Sequence, residues 1–474
     1  MARLLGALLL LLAVIAGVVF YISRKETVPT VTFEQPERIV GQTGTLSVTA
    51  QTPGAKFKAL TITLEQNGQT TPLYTLDPAA APTIGPNTVR ISRPFGKQTV
   101  PSLRAGNARI VVTATGKSFL NLRTLTTTAT KDVQVRLEPP RLNIVSTHHY
   151  VNHGGSEFVV YRATPEDVLS GVRVGDVEYP GYPLNAGDSA VKGAFFALLY
   201  DQPLRTKIIA FARDEGGNEA TATFIDNVFE KPQKKSRIQI DDTFIDRVAP
   251  EIRQNSPELK IDEKDAGDNL AVFLKENGEL RQLNAQKIQQ IAKQTSPMRL
   301  WEGPFVQLGN SKVEAAFADH RTYVYKGKEV DQQVHLGFDL AVTSRVPIVA
   351  ANSGTVLNAS WLGIYGNCVI LDHGMGVQSL YGHMSSFDVK VGDKVTRGQT
   401  LGRSGMTGMA GGDHLHFTML VNGRMVNPVE WWDSHWIMDR VMRKLGEAGV
   451  AGVAAVAESP EPRPVARRRR GKSR

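Results

Sequence analysis

A mostly β chain is predicted: two immunoglobulin-like β-sandwich modules, a short helical linker and a C-terminal antiparallel β-sheet domain, preceded by one transmembrane helix. Three observations predict it. Leu4 to Ile22 is an unbroken run of 19 apolar residues. Short alternating runs, separated by turn residues, recur from about Val28 to Phe229. A Gly-rich, β-like segment after residue 299 holds seven of the ten histidines. The 474 residues are long for one domain, at roughly 100–200 residues each. An apolar content of 41% can bury a sizeable core and excludes wholesale disorder.

The first element, residues 4–22, can cross roughly 30 Å of hydrocarbon at about 1.5 Å per residue. Arg3 precedes it and Arg24 and Lys25 follow. A cleaved signal peptide is the competing reading. Its apolar core is usually about 7–15 residues and ends in a small-x-small site. No good site of that kind follows the run, so a retained signal anchor is expected, with the rest of the chain exported. Residues 28–138 form the first β module, with runs such as "TLSVTAQTPG" and "NARIVVTATG", and Pro139-Pro140 punctuates its end. Residues 139–230 form the second, with "EFVVYRA" and a Gly turn in "ARDEGGNEA".

The composition shifts at "KPQKKSR", which reads as solvated, and residues 231–298 form a linker with helices. Two helical patterns follow, "DNLAVFLKEN" and "NAQKIQQIAKQ". Asn284 is expected to cap the second, with Ile288 and Ile291 on one face. Residues 299–433 form the C-terminal β domain, 434–446 a short helix, and 447–474 a disordered basic tail. Net charge is +9, and seven basic against two acidic residues crowd between Glu458 and Arg474. The remaining chain is only mildly basic, which argues against a nucleic-acid partner.

One cysteine, Cys368, excludes an intramolecular disulfide and any thiolate-rich metal site. A metal would have to use His, Asp or Glu. Three short patterns offer them. In His335-Leu-Gly-Phe-Asp339 a regular strand would hold the two side chains about 13 Å apart. Joint chelation needs a bend, which Gly337 can supply. In His414-Leu-His416, strand alternation puts both imidazoles on one face, about 7 Å apart at Cα. His383 ends the strand-like run "SLYGHM". His373 reads as a turn histidine and Cys368 as a small core residue. Arg321 and Tyr323 are candidates for a groove wall and Asn367 for pinning a loop. His148, His149 and His153 in "HHYVNH" read as exposed loop histidines. "GRSGMTGMAGG" lacks the Lys-Ser/Thr ending of a phosphate cradle.

Taken together, the order His-x3-Asp, His, His-x-His resembles the lysostaphin-type (LytM-type) zinc metallopeptidases of peptidoglycan. The likeness runs through "RTYVYKGKEVDQQVHLGFDLA", "GNCVILDHGMGVQSLYGHMSS" and "GMTGMAGGDHLHFTMLVNGRMVNP". It covers about 135 residues and is nearest to membrane-anchored Gram-negative members. The resemblance implies Zn2+ as cofactor, with His335, Asp339 and His416 as its ligands and His383 and His414 as the catalytic histidines. Three protein ligands leave a position open for water, as in catalytic zinc sites. No Glu is placed as base, and a neutral imidazole can serve. His414 is expected as the base and His383 as oxyanion contact or leaving-group acid, and these roles could be exchanged.

The expected activity is therefore a zinc metalloendopeptidase hydrolysing peptide cross-links of peptidoglycan during wall remodelling. The alternative is an inactive relative that activates a wall hydrolase or acts as a periplasmic scaffold. The expected place is the inner membrane, single-pass, with the catalytic domain in the periplasm. Partners would be peptide stems, the membrane through one helix, and cell-envelope proteins through the β modules.

Overall fold

A computed structural model describes residues 2–25, 28–52, 56–76, 83–85, 87–117, 123–185 and 187–450. The chain divides into two compact units. One comprises Met1–Arg141, Thr164–Leu169 and Phe211–Thr221; the other comprises Leu142–Ala163, Ser170–Ala210 and Ala222–Arg474. The basic tail expected over 447–474 lies, from residue 451 on, outside the described residues.

The apolar run forms the helix Ala2–Lys25. The expected membrane span is not borne out. Among the described residues, no helix is long and apolar enough to cross a membrane.

Between Thr30 and Val135 the first unit is built on two sheets. A four-stranded sheet runs in the order Thr30–Gln35, Thr45–Gln51, Thr88–Pro94, Thr83–Gly85. A five-stranded sheet runs Ile39–Val40, Thr124–Val135, Gly106–Lys117, Lys56–Gln66, Gln69–Thr75. Alternation explains the packing. Along Gly106–Lys117, Ala108, Ile110, Val112 and Ala114 turn inward, and Ile110 meets Val48, Leu60 and Val89 in one core.

In the second unit, the strands Ser156–Thr164 and Asp188–Ala197 pair antiparallel, Ser156 opposite Ala197 and Arg162 opposite Val191. Both are buried almost throughout, which explains their continuous apolar runs. The C-terminal helical stretch fastens to them. Lys444 Nζ donates to Glu157 Oε1 at 2.8 Å and to the Phe158 carbonyl at 2.7 Å, in a fully buried pair. Trp431 packs on Phe195 and Trp301, with ring centroids 5.5 and 5.8 Å away, and donates its Nε1 proton to Ser156 Oγ.

The main sheet of this unit has eight strands. Their order is Lys312–Ala315, Phe338–Ala341, His414–Val421, Val377–Met384, Asn367–Gly374, Gly354–Trp361, Lys394–Val395, with Arg424–Val426 paired to the His414–Val421 strand. The pairings are antiparallel.

"KPQKKSR" is mostly exposed, but the rest of the expected linker packs into the core of this unit. Lys235–Ile240 is a strand, parallel to Asp319–Tyr325, which pairs antiparallel with Lys328–His335. Asp241 then caps the helix Asp242–Asn255, accepting from the Phe244 N–H at 2.8 Å. Ile245, Val248, Ala249 and Ile252 form its buried stripe. Asp268 caps Asn269–Lys275, which continues through a wide turn, Glu276–Leu280, into Arg281–Ala292. Asn284 is therefore mid-helix and not a cap. It is buried, and its Oδ1 accepts from the Ile364 N–H at 3.0 Å. These helices share one apolar core with Tyr323, Ile364, Cys368, Leu380 and Leu420. Cys368 is fully buried, as expected of a small core residue.

Candidate metal and catalytic site

The five histidine and aspartate positions meet in one cleft of about 280 Å³. His335 closes the strand Lys328–His335, and the chain bends through Leu336 and Gly337 before Phe338–Ala341 begins. Gly337 is needed for space rather than for an unusual φ. A Cβ there would sit 2.5 Å from His416 Cε1 and 2.9 Å from the Phe417 carbonyl oxygen. The next strand places Asp339 directly opposite His416, with Ala341 opposite His414. His414 and His416 then share a face, as period-two alternation requires. On the other side Gly382 lies opposite His416. His383 follows in the left-handed region at φ 63°, a conformation uncommon outside glycine. Its ring comes to 4.8 Å from His414 and 5.8 Å from His416, between centroids.

The donor atoms converge. Asp339 Oδ1 lies 2.9 Å from His335 Nε2 and 3.1 Å from His416 Nδ1, and those two nitrogens are 3.1 Å apart. His335, Asp339 and His416 thus offer three ligand atoms within 4.8 Å of one another. Two imidazoles and a carboxylate suit zinc. Carbonyl contacts decide which nitrogen faces inward. His335 Nδ1 meets the Ala316 carbonyl at 3.1 Å, His383 Nδ1 the Thr407 carbonyl at 2.8 Å, and His414 Nδ1 the Gly412 carbonyl at 2.8 Å. With Nδ1 protonated in each, Nε2 keeps its lone pair for the cleft. His416 is reversed: Nδ1 faces the cluster, and Nε2 is buried without a partner beside Gly337.

The electrostatics match a cation site. Burial would raise the Asp339 carboxyl, but His335 and its neighbours hold it well below the usual carboxylate range. Burial pushes His416 down to about 4, and burial with His414 and His416 alongside keeps His383 well below its ordinary value. Both therefore remain neutral near pH 7 and can offer lone pairs. Burial also presses on His414, yet the Asp339 carboxylate 3.5 Å from its Nε2 more than offsets this and raises its pKa.

Other residues from the sequence fall around this centre. Arg321 donates to Asp339 Oδ2 at 2.9 Å, so the wall residue also orients the carboxylate. Tyr323 is buried and lines the same cleft. The Asn367 backbone N–H donates to Thr407 Oγ1, tying down the loop whose carbonyl holds His383. His373 is fully buried between the Ser353 carbonyl and Ser379 Oγ, both at 2.7 Å, away from the cluster. His149 was expected in an exposed loop; it is buried against Ser146 Oγ, and burial pushes its pKa down to about 3. His153 meets the Gln202 carbonyl. Sequence reasoning missed the cleft wall supplied by Ile238 to Asp241, Phe244 and Arg281. Its only signal was the apolar spacing of a segment read as linker.

Comparison with known proteins agrees with this geometry. Residues 333–428 match the description "Peptidase family M23". An "Uncharacterized metalloprotease" of Haemophilus influenzae is 35% identical over 120 residues, 25% of this chain and 25% of that protein. The "DD-carboxypeptidase/endopeptidase Mpg" of Neisseria meningitidis is 38% identical over 97 residues, 20% of this chain and 22% of that protein. The "Peptidoglycan DD-endopeptidase ShyA" of Vibrio cholerae is 38% identical over 96 residues, with the same two shares, 20% and 22%. The matched stretch thus spans about a quarter or less of the length of these relatives. With the three-donor cluster inside the matched stretch, residues 333–428 of this chain form a peptidase family M23 domain.

Proposed function

We propose that the chain is a zinc-dependent endopeptidase that hydrolyses peptide cross-links of peptidoglycan. The observation that carries this is the convergence of His335 Nε2, Asp339 Oδ1 and His416 Nδ1 beside two further imidazoles in one cleft. Those three atoms would hold the zinc. When bound, zinc supplies Lewis acidity toward a carbonyl oxygen and lowers the pKa of water. His414 Nε2, its basicity raised by Asp339, takes a proton from the attacking water. His383, fixed through Nδ1 to the Thr407 carbonyl, contacts the developing oxyanion or returns a proton to the leaving amine once its Nε2 has gained a proton, in roles exchangeable with those of His414. Retention of all five positions weighs against an inactive activator or scaffold. The relatives' names support a bond of the D,D type in peptidoglycan.

The apolar segment Leu4–Ile22, flanked by basic residues, supports a single-pass inner-membrane anchor with the catalytic domain in the periplasm. The β modules, 28–138 and 139–230, would be immunoglobulin-like sandwiches that reach envelope partners. The test is muropeptide analysis of purified sacculi digested by the zinc-loaded full chain in detergent. Cross-linked dimers should fall and monomers rise; an unchanged profile sinks the reading.

A further inference from the structure

The cleft that holds the histidine cluster also contains a guanidinium that, among the described residues, no carboxylate pairs directly. Arg281 opens the helix Arg281–Ala292, lines the cleft and is half-buried. Its Nε donates to the Asn277 carbonyl at 3.1 Å and its Nη2 to Asn277 Oδ1 at 2.6 Å. Asn277 is fully buried, and its Nδ2 donates to Asp331 Oδ2 at 2.7 Å. A carboxylate only accepts, so Asp331 fixes the amide with Oδ1 toward Arg281. This three-residue relay sets the plane of the guanidinium. Met409 Sδ, 3.9 Å from Nη2, stands beside it. The Met409 loop is itself held by Arg247, which donates to the Met406 and Ala410 carbonyls.

The charges around Arg281 leave it unpaired. Arg321, the other cation of the cleft, is taken by Asp339 and Asp319. The Asp241 carboxylate caps its helix, accepting from the Phe244 N–H through Oδ1, and forms no ion pair with Arg281. Among the described residues no acid pairs Arg281, and no acceptor takes its Nη1 protons. An aligned cation with a free donor edge in a part-buried cleft matches a carboxylate, which a planar fork binds through two parallel hydrogen bonds. Arg281, Asn277 and Asp331 all precede the family-matched stretch 333–428.

We propose that Arg281 is a specificity residue that binds a free carboxylate of the substrate's peptide stem. The proposal rests on the peptidase reading for its substrate. Arg281 positions the stem across the cluster and takes no part in proton transfer. Asn277 and Asp331 are its positioning residues.

The test uses the zinc-loaded full chain in detergent and two matched probes, a stem tetrapeptide with a free terminal carboxylate and the same peptide as its carboxamide. Calorimetry should show the acid binding about tenfold more tightly than the amide. Arg281→Ala should bind both at the weaker value with zinc content unchanged, and Arg281→Lys should restore part of the preference. On cross-linked dimers, Arg281→Ala should raise KM about tenfold for the free acid, with kcat nearly unchanged and the amidated dimer unaffected. Equal binding of acid and amide by the wild type overturns the proposal, as does an Arg281→Ala chain that keeps the preference. The wild-type acid–amide comparison decides the matter even if that variant fails to fold. Acid-selective binding without cleavage would leave the subsite standing and sink the peptidase reading; cleavage without acid selectivity would do the reverse.

Discussion

Asp339 has the most demanding position in the cluster. Its Oδ1 touches His335 and His416, while Oδ2 takes Arg321. Removing it separates the ligand nitrogens from their shared anion and leaves Arg321 with Asp319 alone. The full chain should bind close to one zinc, and His335→Ala, Asp339→Ala and His416→Ala should each lower zinc affinity by at least about 100-fold, read by metal analysis after dialysis. An Asp339→Ala chain with full zinc and full activity would end the ligand assignment. His383 and His414 lie outside the three-donor set, so their alanine variants should keep the metal. Cleavage should nevertheless fall by about two to four orders of magnitude in each. If His414→Ala lost zinc while His416→Ala kept it, the roles within that pair would be exchanged.

Among the elements, the helices between residues 242 and 292 decide how stable the cleft is. Phe273 is fully buried, with its ring 5.9 Å from Phe244 and 6.1 Å from Tyr323. Phe273→Ala should cost about 3–5 kcal/mol by denaturant unfolding and weaken zinc retention, since Tyr323 lines the cleft. A segment acting only as a tether would lose almost nothing. The short helix Val429–Trp432 carries a pH-dependent contact of its own. Glu430 is buried, accepting from Asn152 Nδ2 at 2.7 Å and from the Ser156 N–H at 2.7 Å. Burial outweighs these donors and pushes its pKa up to about 7, against 4.5 ordinarily. Between those values the folded chain keeps a proton that the unfolded chain has lost. Stability from this group is thus fully present below about pH 4.5, declines as pH rises toward 7, and is level above it. The loss is of order 3 kcal/mol. Glu430→Gln should flatten this decline in melts at pH 4.5, 6 and 8; an unaltered slope would assign it to another group.

For the whole molecule, the proposed anchor decides where the proposed activity would act. The apolar run Leu4–Ile22 lies within the helix Ala2–Lys25, and the proposed anchor depends on that run being used in full. The mature chain should sediment with membranes and resist high salt, whereas a chain lacking residues 1–25 should appear in the soluble fraction. A native soluble chain beginning near residue 25 would replace the anchor with a cleaved signal peptide.

Local pattern by itself determined a good deal here. Period-two spacing put His414 and His416 on one face, the apolar run made a helix, and alternation made the strands around Val48 and Ile110. The five polar residues of the cluster were singled out through the family resemblance that their order carries, since local spacing placed only His414 and His416 together. Only the tertiary structure decided what lies across from them. It set Asp339 opposite His416, and it chose the inward nitrogen of His335, His383 and His414 through carbonyls of Ala316, Thr407 and Gly412. It also drew residues 235–292 into the core, where sequence suggested a linker. The helical stripe of Ile245, Val248 and Ile252 was present, but Pro250 interrupts it and its partners Ile364, Cys368 and Leu420 come more than 100 residues later. Burial of such a stripe is a property of the pair of surfaces, and a sequence read locally contains only one of them.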